Sequence, residues 1–293
     1  MNNKNLVIDG NYLLFQSFYA SYRGDINTIL RTSKGIPTNA IQLFLMQLLK
    51  LLKEIKPTHL FIAFDAYGQT LRHLQYQEYK KSGRAKAPNE LYIQMNLIKE
   101  ILTKLNIKWL EQEAYEADDL IATFTNLLPG NNFVFSADKD LLQLVNSKTT
   151  LIHRKSDKYL YITNKNFYDL FEINPEQITS FKGLKGDPSD NLPGIKGVGD
   201  KTAIKLLNEF KDFDGIFRNI DSPIITKSLR EKLKDGYEQG LLCFNLAKLN
   251  FNVPNFNTQI GDYELSINLD AGISLLEELE LKIVIKWLAE LSF

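Results

Sequence analysis

The chain has 293 residues, and its 35 Lys and Arg residues balance 35 Asp and Glu residues, so its formal net charge at pH 7 is zero. With 44% hydrophobic and 24% charged residues, it has the composition of an ordinary soluble globular protein. The neutral charge argues against a passive nucleic-acid binder, which usually carries a positive excess, unless acidic and basic surfaces are separated in space.

Cysteine and histidine usage excludes further classes. Cys243 is the single cysteine, so no internal disulfide can form, and its apolar neighbours favour a buried small side chain. The three histidines lack the spacing of a zinc site. We see no signal peptide and no membrane-spanning run, and therefore expect a cytoplasmic protein that does not contact membranes.

Apolar runs and helical patterns alternate through the first half of the chain. This alternation predicts an α/β fold with a mostly parallel central sheet and helices on both faces. A helix following Pro88 is expected to be capped by Asn89. The predicted strands cover residues 6–8, 59–64, 107–110 and 133–137, and the main helical pattern covers residues 38–55.

The character of the chain changes near residue 150. Residues 150–162 have the pattern of a hairpin, and short helices separated by prolines follow. We expect a core domain over residues 1–175 and a second, helical region over 176–293. Its last segment, 273–291, is predicted as one amphipathic helix that packs back on the core through Leu275, Leu276, Leu279, Ile283 and Leu288.

Acidic residues stand where the predicted strands end. Asp9, Asp65 and Asp138 each follow a strand, and the cluster 116–119 lies one short loop beyond another. One such Asp is ordinarily a turn residue or a helix cap, and acids in the first turn of a helix complement its dipole. In a parallel sheet, however, ligands bind outside the carboxyl ends of the strands, so the repetition predicts one shared carboxylate site.

Two more acids in the segment 186–191 complete the candidate set. Two carboxylates about 5 Å apart repel by roughly 3 kcal/mol at an effective dielectric near 20, so a convergent set needs protons or cations. All-oxygen sites suit hard divalent ions, and we expect two or more Mg²⁺ or Mn²⁺ ions, the usual apparatus for phosphodiester displacement. The candidate metal ligands are Asp9, Asp65, Glu116, Asp118, Asp119, Asp138, Asp140, Asp187 and Asp190.

A basic stretch with interleaved tyrosines, residues 72–86, follows one of the strand-end acids. Such a run is often only a solvated face. Placed beside the acidic site, it favours a cover that holds a phosphate backbone. Its basic residues are Arg72, Lys80, Lys81, Arg84 and Lys86.

A glycine-rich segment, residues 193–203, precedes a further helical pattern. Backbone amides of such a turn, with the helix N-terminus behind it, can bind a phosphate without reading sequence. A dinucleotide fingerprint is the competing interpretation, but it requires a preceding strand, and residues 183–193 are turn-like. The helix–hairpin–helix interpretation is therefore favoured.

Taken together, the motifs make the sequence resemble the 5′-nuclease family, which includes the 5′→3′ exonuclease domain of bacterial DNA polymerase I and the flap endonucleases. The resemblance runs from Asp9 to about Lys248, and the order and spacing of its motifs are highly specific. The motifs are VIDG (7–10), FDA (64–66), YEADD (115–119), ADKD (137–140), GDPSDNLPG (186–194) and the glycine hairpin.

The resemblance implies a PIN-like 5′-nuclease core followed by a helix–three-turn–helix DNA-binding subdomain. It implies that Asp9, Asp65, Glu116 and Asp118 surround a first metal ion, and that Asp138, Asp140 and Asp187 surround a second. Asp119 and Asp190 would assist through bound water, and Asp118 is expected to bridge the two sites.

The resemblance also implies the parts that hold nucleic acid. Residues 68–90 would form a helical arch over the site, and a K⁺ ion could bind at the hairpin. The motif carries one extra residue, so Lys80 keeps the family's spacing to Tyr79 and Lys81 keeps its spacing to Arg84. Either lysine could therefore contact the scissile phosphate together with Arg84. The implied DNA-binding residues are Phe15, Arg72, Tyr79, Gly194, Lys196, Gly197, Gly199, Lys201 and Thr202.

The function that this resemblance implies is a stand-alone, monomeric, divalent-metal-dependent 5′→3′ exonuclease and 5′-flap endonuclease. It would act on DNA flaps, duplex ends and RNA-primed DNA in replication and repair, and could work beside a separate DNA polymerase. A non-catalytic junction-binding protein and an RNA-only ribonuclease are the alternatives.

Overall fold

The structure, a computed structural model, describes residues 3–81, 87–156 and 158–290. Within these ranges, one sheet is formed by β1 (Lys4–Asp9), β2 (His59–Ala63), β3 (Trp109–Leu110), β4 (Asn131–Phe135), β5 (Thr149–Lys155) and β6 (Lys158–Ile162). The strand order is β3-β2-β1-β4-β5-β6. All neighbouring pairs are parallel except β5 and β6, which form an antiparallel hairpin.

Helices precede, connect and follow these strands. Those that belong to the sheet region are α1 (Gly10–Ser21), α2 (Asn39–Ile55), α3 (Leu71–Gln75), α4 (Asn89–Lys104), α5 (Ala117–Leu127) and α6 (Phe167–Phe171). The later helices are α7 (Ile178–Lys185), α8 (Asp200–Phe210), α9 (Phe213–Arg218), α10 (Lys227–Asp235), α11 (Tyr237–Leu246), α12 (Leu269–Glu278) and α13 (Lys282–Ala289).

The central strand β1 is buried on both faces, as parallel sheets require. Leu6 and Ile8 pack into the core formed with α1, α2 and α4, whereas Val7 packs into the core on the opposite face, around Leu120 and Phe124 of α5. This alternation places helices on both sides of the sheet. The predicted fold class is thereby confirmed.

The third predicted strand is shorter than expected. Only Trp109 and Leu110 pair with β2, opposite Ile62 and Ala63. The chain then leaves the sheet toward α5. The acids at the start of α5 nevertheless lie at the carboxyl edge of the sheet, because the turn before α5 begins where β3 ends.

The cap predicted for α4 is wrong by one residue. Pro88 holds the N-cap position, where its carbonyl accepts the Leu91 N–H at 3.0 Å, and Asn89 is the first helical residue. Proline suits this boundary because its fixed φ suits the helix start and its missing N–H has no helical partner to lose.

The single C-terminal helix predicted over residues 273–291 is also wrong. The chain forms α12 and α13 with a turn between them, because Glu280 adopts a left-handed backbone conformation (φ +57°). The Leu281 N–H bonds to the Leu276 carbonyl at 2.9 Å, which closes the turn. Leu276, Leu279 and Leu288 are buried as expected, but Ile283 is 49% exposed.

The C-terminal segment returns to the sheet region along two backbone contacts. The Leu265 N–H donates to the Thr58 carbonyl at 2.9 Å, and the Asn268 N–H donates to the Leu105 carbonyl at 3.0 Å. None of the helices in the described ranges is both long and apolar enough to cross a membrane.

Candidate active site

Asp9 stands at the last position of β1 and caps α1. Its Oδ1 accepts the Tyr12 N–H at 2.9 Å, and its Oδ2 accepts the Ser136 hydroxyl at 2.7 Å. The carboxylate is 6% exposed. Asp9 therefore both caps α1 and contributes a carboxylate to the site at the strand ends.

Asp65, beyond the end of β2, is exposed and faces the same edge. Its Oδ2 accepts a hydrogen bond from the Asn11 side chain at 2.9 Å, and its Oδ1 accepts the Ala117 N–H at 2.8 Å. These two contacts tie the loop after β2 to the starts of α1 and α5.

A cavity of about 360 Å³ opens where these strand ends meet. Phe15 of α1 lies in its wall, as does Lys80. Its acidic lining consists of Asp9, Asp65, Glu116, Asp118 and Asp138. Acidic residues from four separate stretches of chain thus share one cavity.

Further carboxylates lie beside this cavity. One carboxylate oxygen from each of Asp118, Asp138 and Asp140 lies within 4.8 Å of the other two. The same is true of Asp140, Asp187 and Asp190. Asp140 therefore belongs to both groups, and Asp118 belongs to the first. The expectation that Asp118 bridges two metal ions stays a prediction. Asp190, which was expected to act through bound water, has an oxygen in the second group.

Burial and mutual repulsion disfavour the charged forms of these acids. Burial, with Asp65 and Asp138 nearby, raises the pKa of Asp9 to about 7, against the bonds from Tyr12 and Ser136. Burial also raises the pKa of Asp118 well above its ordinary value, reinforced by Asp138. The pKa of Asp140 rises to about 7 through burial, although Lys182 opposes the rise.

Glu116 joins the acidic cavity to the basic stretch. Its Oε2 accepts hydrogen bonds from Arg72 Nη1 at 3.3 Å, the Tyr79 hydroxyl at 3.2 Å and Lys80 Nζ at 3.1 Å. Three donors from residues 72–80 therefore converge on one oxygen of a candidate metal ligand.

Asp119 and Arg72 differ from their predicted roles. Asp119 accepts Arg72 Nη1 and Nη2 at 2.8 and 2.7 Å, and it also accepts the backbone N–H groups of Glu116 and Asn250. The remaining Arg72 donors reach Glu116 and the carbonyls of Leu246 and Lys248. All five guanidinium N–H groups are thus committed inside the protein, which leaves none for DNA in this conformation.

The residues that were predicted to form an arch divide between buried and exposed positions. Tyr79, predicted to contact DNA, is 1% exposed and bonds to Glu116. Lys80 points into the cavity, whereas the Lys81 ammonium pairs at 3.1 Å with Glu78 on the surface. Arg84 and Lys86 lie outside the described residues.

The connection between α7 and α8 contains exposed polar and glycine residues held in place by buried apolar ones. Lys196, Gly197, Gly199 and Lys201 are exposed, Thr202 is half-buried, and Gly194 is buried. Ile195 and Val198 are 1% and 5% exposed and fix the connection to the core.

Two basic residues that the sequence interpretation missed stand near these groups. The Lys182 ammonium pairs with Asp140 and, at 2.7 Å, with Asp187. Lys232 of α10 lies beside Gly197, with its Nζ 3.2 Å from where a Cβ on that glycine would stand. Only the short spacing from Lys182 to Asp187 hinted at the first, and no pattern linked Lys232 to the hairpin.

The carboxylate groups fit divalent cations. Each of the two groups offers only carboxylate oxygens, the donors that Mg²⁺ and Mn²⁺ prefer. Besides burial, repulsion from neighbouring acids contributes to the raised pKa values of Asp118 and Asp140, and a cation would relieve this repulsion. The fold and this site together define an α/β protein with an acidic, metal-binding pocket at the carboxyl edge of its sheet.

Comparison with known proteins then gives the family. Residues 4–172 match the 5′-3′ exonuclease N-terminal resolvase-like domain, and residues 173–268 match the 5′-3′ exonuclease C-terminal SAM fold. The chain belongs to the 5′-3′ exonuclease family.

Curated relatives agree with this assignment. A 5′-3′ exonuclease of Mycoplasmopsis pulmonis is 38% identical over 95% of this chain and 90% of its own length. One of Aquifex aeolicus is 36% identical over 96% of this chain and 93% of its own. DNA polymerase I of Bacillus subtilis is 39% identical over 98% of this chain, but the match spans only 32% of that enzyme.

Solved structures share the fold at low sequence identity. The T5 D15 protein co-crystallised with metal ions superposes with a TM-score of 0.66 at 18% identity, over 97% of this chain and 98% of that one. The catalytic core of Rad2 in complex with DNA substrate superposes with a TM-score of 0.63 at 15% identity, over 99% and 92% of the chains.

Proposed function

We propose that this protein is a divalent-metal-dependent 5′→3′ exonuclease and structure-specific 5′-flap endonuclease. Its substrates are 5′ flaps and ends of duplex DNA and RNA primers in RNA/DNA duplexes, and its role is in replication and repair. The family membership supports the nuclease class, and a protein of the same fold, the T5 D15 flap endonuclease, has been solved with DNA and metal ions.

The convergence of eight carboxylates carries the proposal. They come from five separate segments, the last of which contains Asp187 and Asp190, and they lie in or beside one cavity. Each is costly to place near the others, so a fold that gathers them needs protons or compensating cations. A purely structural site would not need so many.

The chain's own residues position the substrate for hydrolysis. Two Mg²⁺ or Mn²⁺ ions held by these carboxylates would supply activation of water and stabilisation of developing phosphate charge. The Lys80 ammonium, at the cavity wall, orients the scissile phosphate, and the Phe15 ring stacks on the adjacent base. The products carry 5′-phosphate and 3′-hydroxyl ends.

Duplex DNA is held at the connection between α7 and α8, used as a helix–hairpin–helix. Lys196 and Lys201 are exposed there, and the N-terminus of α8 follows directly. Backbone amides around Gly197 and Gly199 contact phosphates, and a K⁺ ion at the turn assists them. The described parts of the stretch 68–90, with Lys80 in the cavity wall, act as the arch.

The protein works as a monomer and cooperates with a DNA polymerase. The match to DNA polymerase I relatives, of which the chain spans about a third, supports this cooperation.

The decisive test uses a duplex with a labelled 5′ flap. With Mg²⁺ we expect cleavage near the flap junction and shortening from 5′ ends, and with EDTA we expect neither. An RNA-primed duplex should be cut as well, and single-stranded RNA should be cut far more slowly.

Other outcomes would favour other functions. Binding of the flap without any metal-dependent cleavage would identify a non-catalytic junction-binding protein. Cleavage of RNA alone would identify a ribonuclease.

A further inference from the structure

Lys182 is a buried cation inside the second group of carboxylates. Its side chain is 7% exposed, and its ammonium contacts Asp140 and lies 2.7 Å from Asp187 Oδ2 and 4.0 Å from Asp190 Oδ2. These are the same three residues whose oxygens can meet within 4.8 Å. One charged side chain therefore stands where a cation would bind.

The backbone of Lys182 holds the same loop as its side chain. Its carbonyl accepts the Gly186 N–H at 2.8 Å, at the turn from α7 into the loop that carries Asp187 and Asp190. Lysine is seldom buried to this degree unless it is paired, because its ammonium loses hydration. The position of this side chain is therefore specified by the carboxylates and cannot be explained by apolar packing.

We propose that Lys182 is a built-in counter-cation that competes with a divalent ion for Asp140, Asp187 and Asp190. This inference rests on the proposed metal-dependent function. An ion that ligates these carboxylates must share them with the ammonium or displace it. The second site is consequently the weaker of the two, and it fills after the site around Asp9 and Asp118.

The side chain of Lys182 has space to move. A cavity of about 360 Å³ adjoins it, and the lining contains Lys139 and Lys185 as well as Glu172, Asp187 and Asp200. An ammonium that turned into this cavity would leave Asp140 and Asp190 for a surface of mixed charge, in which Lys185 already pairs with Asp200. Retention of Lys182 at the carboxylates is therefore favoured until an ion of higher charge arrives.

The test measures Mn²⁺ binding to the full chain by calorimetry and by electron paramagnetic resonance. Lys182→Met removes the charge and keeps the length of the side chain. We expect the second Mn²⁺ to bind at least about tenfold more tightly, because a unit positive charge next to a divalent ion has been removed. The first Mn²⁺ should bind as in the parent protein.

Two variants serve as controls. Lys185 lies on the same helix, pairs with Asp200 at 2.8 Å and is 30% exposed, so Lys185→Met should leave both affinities unchanged. Lys182→Arg keeps the charge and should keep the second ion weak. This variant also tests the proposal if Lys182→Met does not fold.

The results that would overturn the proposal are distinct from those that concern the function. Unchanged or weaker binding of the second ion to Lys182→Met, with the first intact, removes the competition, as does a gain in affinity in Lys182→Arg. If neither the parent protein nor any variant bound Mn²⁺, the metal-dependent function would fail, and this inference with it.

Discussion

Asp118 and Asp119 are neighbours in the chain whose carboxylates lie in different surroundings. Asp118 faces the acidic cavity, and Asp119 faces the guanidinium of Arg72. The first is therefore an electrostatic liability that a cation relieves, and the second is half of a buried ion pair with two good hydrogen bonds.

Substitution of the two should separate these roles. Asp118→Asn should reduce the gain in melting temperature caused by millimolar Mg²⁺, and in EDTA it should stabilise the protein because it removes repulsion. Asp119→Asn should lower the free energy of unfolding by about 2 kcal/mol or more, because it removes the nearer of the two carboxylates that balance the buried Arg72 charge and leaves only Glu116 at 3.3 Å. Thermal melts of each variant with EDTA and with Mg²⁺ measure both effects. A lost Mg²⁺ response in Asp119→Asn at unchanged stability would contradict this division.

Lys80 and Lys81 provide a second contrast between adjacent residues. The Lys80 ammonium lies 3.1 Å from Glu116 Oε2 and lines the cavity, whereas the Lys81 side chain is 56% exposed. We expect Lys80→Ala to lower the single-turnover cleavage rate by about 10²-fold, the usual effect of losing one preorganised donor. Lys81→Ala should change it by no more than about twofold, since exposed pairs contribute little. Equal losses in the two variants would argue against Lys80 as the phosphate contact.

The site residues that could be predicted are those marked by a pattern of neighbouring residues in the sequence. Strand-end acids are recognisable because a short apolar run followed by Asp can be read without knowing the fold. The pairing of Arg72 with Asp119 joins residues 47 positions apart, and no periodicity connects them. The same holds for the pairing of Lys182 with Asp140, which joins two distant segments of the chain.

At the level of elements, two glycines fix the loop that carries Asp187 and Asp190. Gly186 and Gly194 both have positive φ, at +84° and +64°, and their backbones touch. A Cβ on Gly194 would stand 2.2 Å from the Gly186 nitrogen. This approach closes the loop and aims its acids at Asp140.

Gly194→Ala should therefore lower the free energy of unfolding by about 2 kcal/mol or more, because it combines backbone strain with a clash. Gly199→Ala is the matched control, since a Cβ there meets nothing within 4 Å and φ is −101°. Urea denaturation in EDTA compares the two. A similar loss in both variants would show that the close approach of Gly186 and Gly194 is not what stabilises the loop.

Helix boundaries were less predictable than strands. The apolar spacing continues through Leu279 and Leu281, both buried, while the backbone between them turns through Glu280. Two helices that bury apolar residues on both sides of a turn give the same apolar spacing in the sequence as one continuous helix. Periodicity reports which side chains are buried and carries little information about backbone direction.

At the level of the whole molecule, the acidic pocket makes stability depend on pH. Burial raises the pKa of Asp9 and of Asp140 to about 7, against an ordinary value of 3.8 in the unfolded chain. The folded state therefore retains protons that the unfolded state releases first, and the stability from these groups is lost as pH rises toward 7.

In EDTA, we expect the free energy of unfolding to fall between about pH 5 and pH 7.5 by at least 1.4 kcal/mol, the equivalent of one pKa unit. Millimolar Mg²⁺ should remove this fall, because cations replace the protons. Urea denaturation at several pH values measures the effect, and Asp9→Asn should reduce it to the part that comes from Asp140. Stability that rose over this range in EDTA would contradict the raised pKa values.

The order in which the site's parts occur along the chain has a consequence for biosynthesis. Its first acid is residue 9 and its last is residue 190, so the second carboxylate group is incomplete until nearly two thirds of the polypeptide has been made. Domains tend to fold as they emerge from the ribosome, and here the sheet can form before the second group of acids exists. A nascent or prematurely terminated chain that stops short of Asp187 is therefore expected to be harmless to the nucleic acids around it.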